Sequence, residues 1–172
     1  ITIVRQMREN DITFPWVQTT YSTNTEFHES LEENSMYFGG QHNIHPEVER
    51  DVTVGHDLSE WFDLYYETHD SDPTFNSANG YAGMVALTQC MEEAGSANDT
   101  GALKEAALNL SGEFNTITGE FAIDETGART SQNYVVTQNL GKEENLYDRF
   151  DIVDPKFPTA EATYPMPGWD ER

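Results

Sequence analysis

The chain has 172 residues, 31 of them acidic and 9 basic, for a formal charge of −22. With only three lysines (Lys104, Lys142 and Lys156) and no cluster of Lys or Arg, it has no patch to neutralise phosphates, which argues against nucleic acid or an anionic membrane surface as partner. No apolar run approaches the ~20 residues of a membrane-spanning helix, and one cysteine, Cys90, excludes an intrachain disulfide and a multi-cysteine zinc site.

Like charge at this density repels itself and works against compactness at ordinary ionic strength. At ~1 M salt the Debye length falls to about 3 Å and most of that repulsion disappears. The composition therefore predicts a halophilic, acidic protein that works in brine. Disorder fits poorly, because 12% of the residues are aromatic and apolar positions recur at regular spacing.

Residues 1–8 read as the inside of a helix with Val4 and Met7 on its apolar side, so the chain is expected to be a piece of a longer one. Asn10-Asp11 turns it into an extended run over 12–18. Asn24 caps a short helix to about Asn34, with Phe27 and Leu31 four apart on its inner face. Met36-Tyr37-Phe38 reads as a strand stopped by Gly39-Gly40, and 42–49 as an irregular connector.

Asp57, with Glu60 three residues on, marks the start of a helix ending near His69, in which Leu58, Trp61, Phe62 and Tyr65 form the inner stripe. Residues 75–79 read as extended, and Gly80 precedes a helix over 81–94 that is apolar on most sides and stops at Gly95. Asp99 caps a further helix over 100–110, with Leu103, Ala106, Ala107 and Leu110 inward. Alternation over 116–123, a turn at 124–127 and a second β-rich run over 133–138 predict a hairpin. Residues 146–153 read as a last strand. Pro155, Pro158, Pro165 and Pro167 then make an irregular tail. This order gives an α/β fold with a partly parallel sheet.

Little in the sequence points to catalysis. His42, His45, Glu47 and His56 could supply metal ligands, but His42 to Glu47 lies in a connector broken by Pro46, where weak cation condensation on an acidic surface explains the company better. No Gly-x-Ser-x-Gly elbow or phosphate-binding glycine loop is present. Cys90 sits in an apolar helix pattern and is expected to be a buried structural thiol. No catalytic residue, metal or cofactor is assigned. Two loops rich in hydroxyl, amide and aromatic groups are better prospects for binding: Gln18, Thr19, Thr20 and Tyr21 ahead of the Asn24 cap, and Asn79 and Tyr81 at the head of the helix over 81–94. In open α/β folds ligands gather where strands end and helices begin.

Residues 61–96, the run 103–110, Thr118-Gly-Glu-Phe121 with Asp124 and Gly127, and Tyr134-Val-Val-Thr-Gln138 together resemble type I periplasmic solute-binding proteins, in the amino-acid and amide group that includes the leucine/isoleucine/valine-binding proteins. The resemblance spans nearly the whole chain as a weave of degenerate positions. It implies part of a two-lobed α/β fold with mostly parallel sheets and a C-terminal hairpin. Residues 1–42 would lie in the second lobe and 43–115 in the first (helices over 57–69, 81–94 and 100–110). Residues 116–172 would hold the hairpin, the crossover and the return to the second lobe. It further implies a non-enzymatic, extracytoplasmic receptor that binds a small polar solute by lobe closure and delivers it to ABC permease subunits. Tyr81 matches a tyrosine facing the cleft in the family, and Gln18, Thr19, Thr20 and Tyr21 match a loop that often offers an acid to the ligand's ammonium. The solute implied is an amino acid, branched-chain-like, or a related small polar amide. The absence of an acid in this loop weighs against a standard α-amino acid unless the acid comes from elsewhere, and favours an amide, a urea-like solute or another polar molecule held by neutral hydrogen bonds. A ligand-sensing receptor of the same fold is the alternative; a hydrolytic enzyme fits least.

Overall fold

Two stretches that are distant in sequence fold together, and the stretch between them folds by itself: residues 1–42 with 134–172 form one unit, residues 43–133 another. The computed structural model describes residues 1–131, 134–141, 145–154, 156 and 158–172. In chain order its helices are α1 (Thr2–Glu9), α2 (Thr25–Leu31), α3 (Leu58–His69), α4 (Phe75–Ala94), α5 (Thr100–Asn109) and α6 (Leu146–Arg149). Its strands are β1 (Gly39–His42), β2 (Asn115–Thr116), β3 (Gly119–Glu120), β4 (Val135–Asn139) and β5 (Phe150–Ile152). Among the described residues no helix is long and apolar enough to cross a membrane.

In the first unit α1 buries Val4 and Met7, as their spacing requires, and α2 buries Phe27 and Leu31. Residues 12–18 meet the sheet only through a single parallel bridge from Gln18 to Gly39. The helix expected to reach Asn34 stops at Leu31, because Glu32 takes φ +49° and a 3-10 turn (Glu32–Ser35) follows. The strand expected over 36–38 begins instead at the glycines. Tyr37 has φ +66°, and β1 starts at Gly39. The cause is close packing: a Cβ on Gly39 would lie 2.5 Å from the Trp16 ring, and one on Gly40 2.5 Å from the Thr23 methyl. Here the paired glycines admit neighbours to the strand.

β4 is the central strand, antiparallel to β1 on one side and β5 on the other, with Gly39 opposite Gln138 and Thr137 opposite Ile152. The α/β character is as expected, but the described sheets are antiparallel apart from the Gln18 bridge. Only residues 140–149 separate β4 from β5, fewer than the dozen or so that a parallel crossover needs. The last strand is also shorter than expected. Asn145 accepts the Tyr147 and Asp148 N–H groups, winds 146–149 into a helical turn, and leaves 150–152 as strand.

The C-terminal tail is irregular yet packed. Met166 and Trp169 join Val4, Met7, Phe27, Leu31 and Phe38 in one apolar cluster. The Met166 N–H donates to the Pro15 carbonyl (2.8 Å) and the Trp169 indole to that of Ile12 (3.0 Å), so the tail fastens onto the 12–18 run. Pro155 lies outside the described residues.

In the second unit Asp57 accepts the Glu60 N–H at 2.8 Å and starts α3, which ends at His69 before left-handed Asp70. Residues 75–79 are not extended: α4 begins at Phe75. Thr74 and Ser77 cap it reciprocally. The Thr74 N–H donates to Ser77 Oγ (2.7 Å), while Thr74 Oγ1 accepts the Ser77 N–H (3.4 Å). This cap outweighs the ~1 kcal/mol that Gly80 costs inside a helix. Nor is α4 buried on several faces. Ala78, Ala82, Ala86 and Cys90 form one buried stripe, while Met84 and Leu87 are exposed. Burial raises the pKa of the Cys90 thiol, in keeping with a structural role.

Gly95 closes α4 at φ +63°, and Asp99 caps α5 by accepting the Gly101 and Ala102 N–H groups, both at 3.0 Å. Asp99→Ala should lower stability by about 1 kcal/mol, measured as a shift in the urea midpoint without a change in slope. Of the predicted inner stripe of α5, only Ala106 is fully buried. A hairpin does form, but tighter than expected: β2 and β3 pair across Ile117-Thr118, and the turn at 124–127 closes only an Ile123–Arg129 bridge. The run expected as its second arm, 133–138, does not pair with it. Val135–Asn139 lies in the other unit's sheet, and Asn133 is outside the described residues.

Candidate ligand-binding sites

The first predicted loop belongs to the first unit. Gln18 is half-buried, and its Oε1 accepts the Trp16 indole N–H at 3.3 Å. Thr19 caps a 3-10 turn (Thr20–Thr23), its hydroxyl oxygen accepting the Ser22 N–H at 3.0 Å. Thr20 and Tyr21 are exposed. Thr19 is thus committed to holding the turn, while Gln18, Thr20 and Tyr21 keep polar groups that could meet a solute.

Asn79 and Tyr81 belong to the second unit. Two residues apart on α4, they point in different directions. The Asn79 Oδ1 accepts from the Asn43 side-chain amide at 2.7 Å. The Tyr81 hydroxyl accepts the His56 N–H at 2.9 Å, and its ring stacks on His56 and leans on Trp61. Gly55, at φ +91°, passes so close that a Cβ there would lie 2.9 Å from the Tyr81 oxygen. Tyr81 therefore fastens the loop leading into α3.

Asn79 also borders a cavity of about 170 Å³. Its floor is the α4 stripe, Ala82, Gly83 and Ala86, and its apolar wall is Phe121, Ala122 and Ile123. Thr116 and Thr118, both buried and 3.2 Å apart through their hydroxyls, add polar groups, and Glu120 and Arg129 complete the lining. Arg129 donates from Nη2 to the Thr118 carbonyl (2.9 Å) and from Nε to Ser131 Oγ (3.4 Å). The sequence reading missed this group. The available signal was Arg129 itself, the one basic residue between Lys104 and Lys142.

The histidines considered as metal ligands are dispersed. His42 lies in β1 against the rings of Tyr147 and Phe150, His45 Nδ1 accepts the Glu47 N–H, and His56 pairs with Glu60 at 2.9 Å. Among the described residues no three His, Cys, Asp or Glu side chains gather to hold a metal.

Another histidine, His28, is buried on the inner side of α2. Its Nε2 lies 2.7 Å from the Ser22 carbonyl, which can only accept, so Nε2 carries the proton. Nδ1 then accepts. Ser35 Oγ is 3.0 Å away but gives its own proton to the Glu32 carbonyl, which leaves the Asn139 amide, at 3.3 Å, as donor. Phe27 and Phe150 meet the ring edge-on. Burial lowers the pKa of His28 to about 4, against the hydrogen bond to Ser22 and with help from the Arg149 charge. His28, Glu29 and Arg149 also border a surface recess of about 300 Å³.

No family model matches the chain, and no curated protein matches it. Solved structures do. The crystal structure of a leucine binding protein, LivK, from Thermotoga maritima superposes with a TM-score of 0.69 at 22% identity, over 90% of this chain and 41% of that one. The chain thus adopts part of a periplasmic-binding-protein fold and spans less than half the length of that neighbour.

Proposed function

We propose that the chain is part of an extracytoplasmic solute-binding protein. It takes an amino acid, branched-chain-like, or a related small polar amide by lobe closure, and serves as the binding component of an ABC importer. The observation that carries this reading is the shared fold over 90% of the chain with a protein described as leucine-binding. Fold likeness fits a binder, and the two polar loops offer hydrogen bonds with no poised nucleophile or acid–base pair. Gln18, Thr19, Thr20, Tyr21, Asn79 and Tyr81 are the proposed ligand contacts, with Thr19 and Tyr81 acting through the turns they hold. The charge of −22 supports a surface facing concentrated salt outside a cell.

A thermal-shift panel of amino acids, amides and ureas in ~3 M KCl tests the proposal. Saturation at about 100 times the dissociation constant adds ~2.7 kcal/mol to the folded state. At least one member of the panel should raise the melting temperature, and Tyr81→Ala should weaken that ligand. A panel that leaves the melting point unmoved would sink the reading.

A further inference from the structure

We propose that Asn98 is the attachment site of an N-linked saccharide. The proposal rests on the extracytoplasmic reading, because Asn-x-Ser/Thr acceptors are used on surface loops of secreted chains. Two such tripeptides flank α5: Asn98-Asp99-Thr100 ahead of it and Asn109-Leu110-Ser111 at its end. A pattern this short recurs by chance, so the choice between them falls to the fold.

Asn98 lies in the stretch 95–99 between α4 and α5, and is exposed together with Ala97, Asp99 and Thr100. The other polar groups of this loop hold its shape. Ser96 Oγ accepts the Asn98 and Asp99 N–H groups at 3.2 and 3.1 Å, and the Asp99 carboxylate accepts those of Gly101 and Ala102. The Asn98 side-chain amide and the Thr100 hydroxyl make no hydrogen bond among the described residues. Asp99 between them is extended, at φ −84° and ψ 96°, and an extended residue sets its two neighbours on one side of the backbone. The acceptor nitrogen and the hydroxyl that completes the tripeptide are thus free, exposed and presented together.

Asn109 is exposed but lacks the rest. It is the last residue of α5, where side chains two apart do not face each other. Its partner hydroxyl is committed: Ser111 Oγ donates to the Ile123 carbonyl and accepts the Ile123 N–H, both at 2.8 Å. A saccharide at Asn98 also leaves the proposed ligand contacts of this unit clear. Asn79 and Tyr81 lie near the start of α4 and Asn98 beyond its end, roughly 20 Å away at ~1.5 Å per residue.

The transfer takes a lipid-linked saccharide phosphate as donor. Nδ2 of Asn98 bonds to the anomeric carbon and gives one proton to a base of the transferase. The bond from that carbon to the phosphate oxygen breaks, and its electron pair leaves with the phosphate. Nothing is oxidised or reduced.

The experiment isolates the protein from the cells that make it, records on which side of the membrane it lies, and maps it after trypsin. Cleavage at Arg50, Lys104 and Arg129 separates the two tripeptides into peptides 51–104 and 105–129. The first should carry a saccharide mass and the second none, and a glycopeptidase in heavy-oxygen water should leave labelled Asp at position 98. Asn98→Gln and Thr100→Ala should abolish the saccharide, and Thr100→Ser should keep it, with circular dichroism unchanged in all three. The wild-type map decides even if a variant fails to fold. A bare Asn98 on protein recovered outside the membrane, or a saccharide on 105–129 in place of 51–104, would overturn the proposal; if that protein responds to the solute panel, the proposed function stands. Protein confined to the cytosol with Asn98 bare would overturn both this site and the extracytoplasmic reading.

Discussion

Replacing Phe27 by Ala should destabilise the first unit by about 3–5 kcal/mol, the range for emptying an aromatic position in a packed core. Phe27 is 1% exposed and lies edge-on to Phe38 and to His28, at centroid distances of 5.6 and 5.5 Å. Its neighbours come from α1, α2, Phe38 just ahead of β1 and the C-terminal tail, so no single element can close the gap. Against a typical total of 5–15 kcal/mol, such a loss removes a large share of the stability. Urea denaturation in ~3 M KCl, followed by near-ultraviolet circular dichroism, reads it. A loss under about 1 kcal/mol would show that the cluster does not hold the unit together.

The second large effect is acid sensitivity at His28. Its pKa falls from 6.5 to about 4 on folding. The buried neutral ring thus contributes fully above pH 6.5, and that contribution is lost as the pH falls from 6.5 through about 4. The loss approaches 3 kcal/mol below pH 4 and is already about 2 kcal/mol at pH 5. Asp57 and Asp124 act with the same sign. Hydrogen bonds chiefly from the Glu60 N–H and from the Thr126 hydroxyl lower their pKa values, so acid removes that stabilisation as well. Relief of carboxylate repulsion runs the other way, and the imidazole itself must therefore be followed. NMR of the His28 ring should show it neutral, protonated at Nε2, down to near pH 4. Titration near 6.5 in the folded protein would refute the buried arrangement.

The neutral ring also explains a structural choice. His28 ties Ser22, ahead of α2, to Asn139 of β4, whose amide also donates to Ser35 after the helix. A charged imidazole would need an acceptor at Nδ1, where the Asn139 amide donates. Residues separated by 111 positions thereby fix one local geometry, and no window of sequence around His28 displays that.

Where local chemistry is strong, the sequence was sufficient. Asp57, Asp99 and Gly95 mark helix ends because a carboxylate beside free N–H groups and a residue without Cβ at positive φ act within one turn. The inner faces at Val4 and Met7, Phe27 and Leu31, and Leu58 and Trp61 follow from helical period alone. Of the binding loops, the sequence identified the polar residues but not their commitments. Thr19 and Tyr81 look like free ligands until the Ser22 and His56 N–H groups are found bound to them.

Tertiary structure decided what depends on distant partners. Strand pairing is the clearest case: Val135–Asn139 alternates like a hairpin arm, yet it pairs with Gly39–His42 and Phe150–Ile152, because buried strands are selected by the faces they can cover. The glycines at 39 and 40 read locally as a stop and serve globally as room for Trp16 and Thr23. The tail, written off by its prolines, supplies Met166 and Trp169 to the core. By itself the sequence determined the α/β class and the helix ends marked by Asp57, Asp99 and Gly95, since those are set by composition and by contacts within a turn. The sheet partners, the alanine-floored cavity beside Arg129 and the buried His28 arise only when distant segments exclude water together, and so they became visible only in the folded chain.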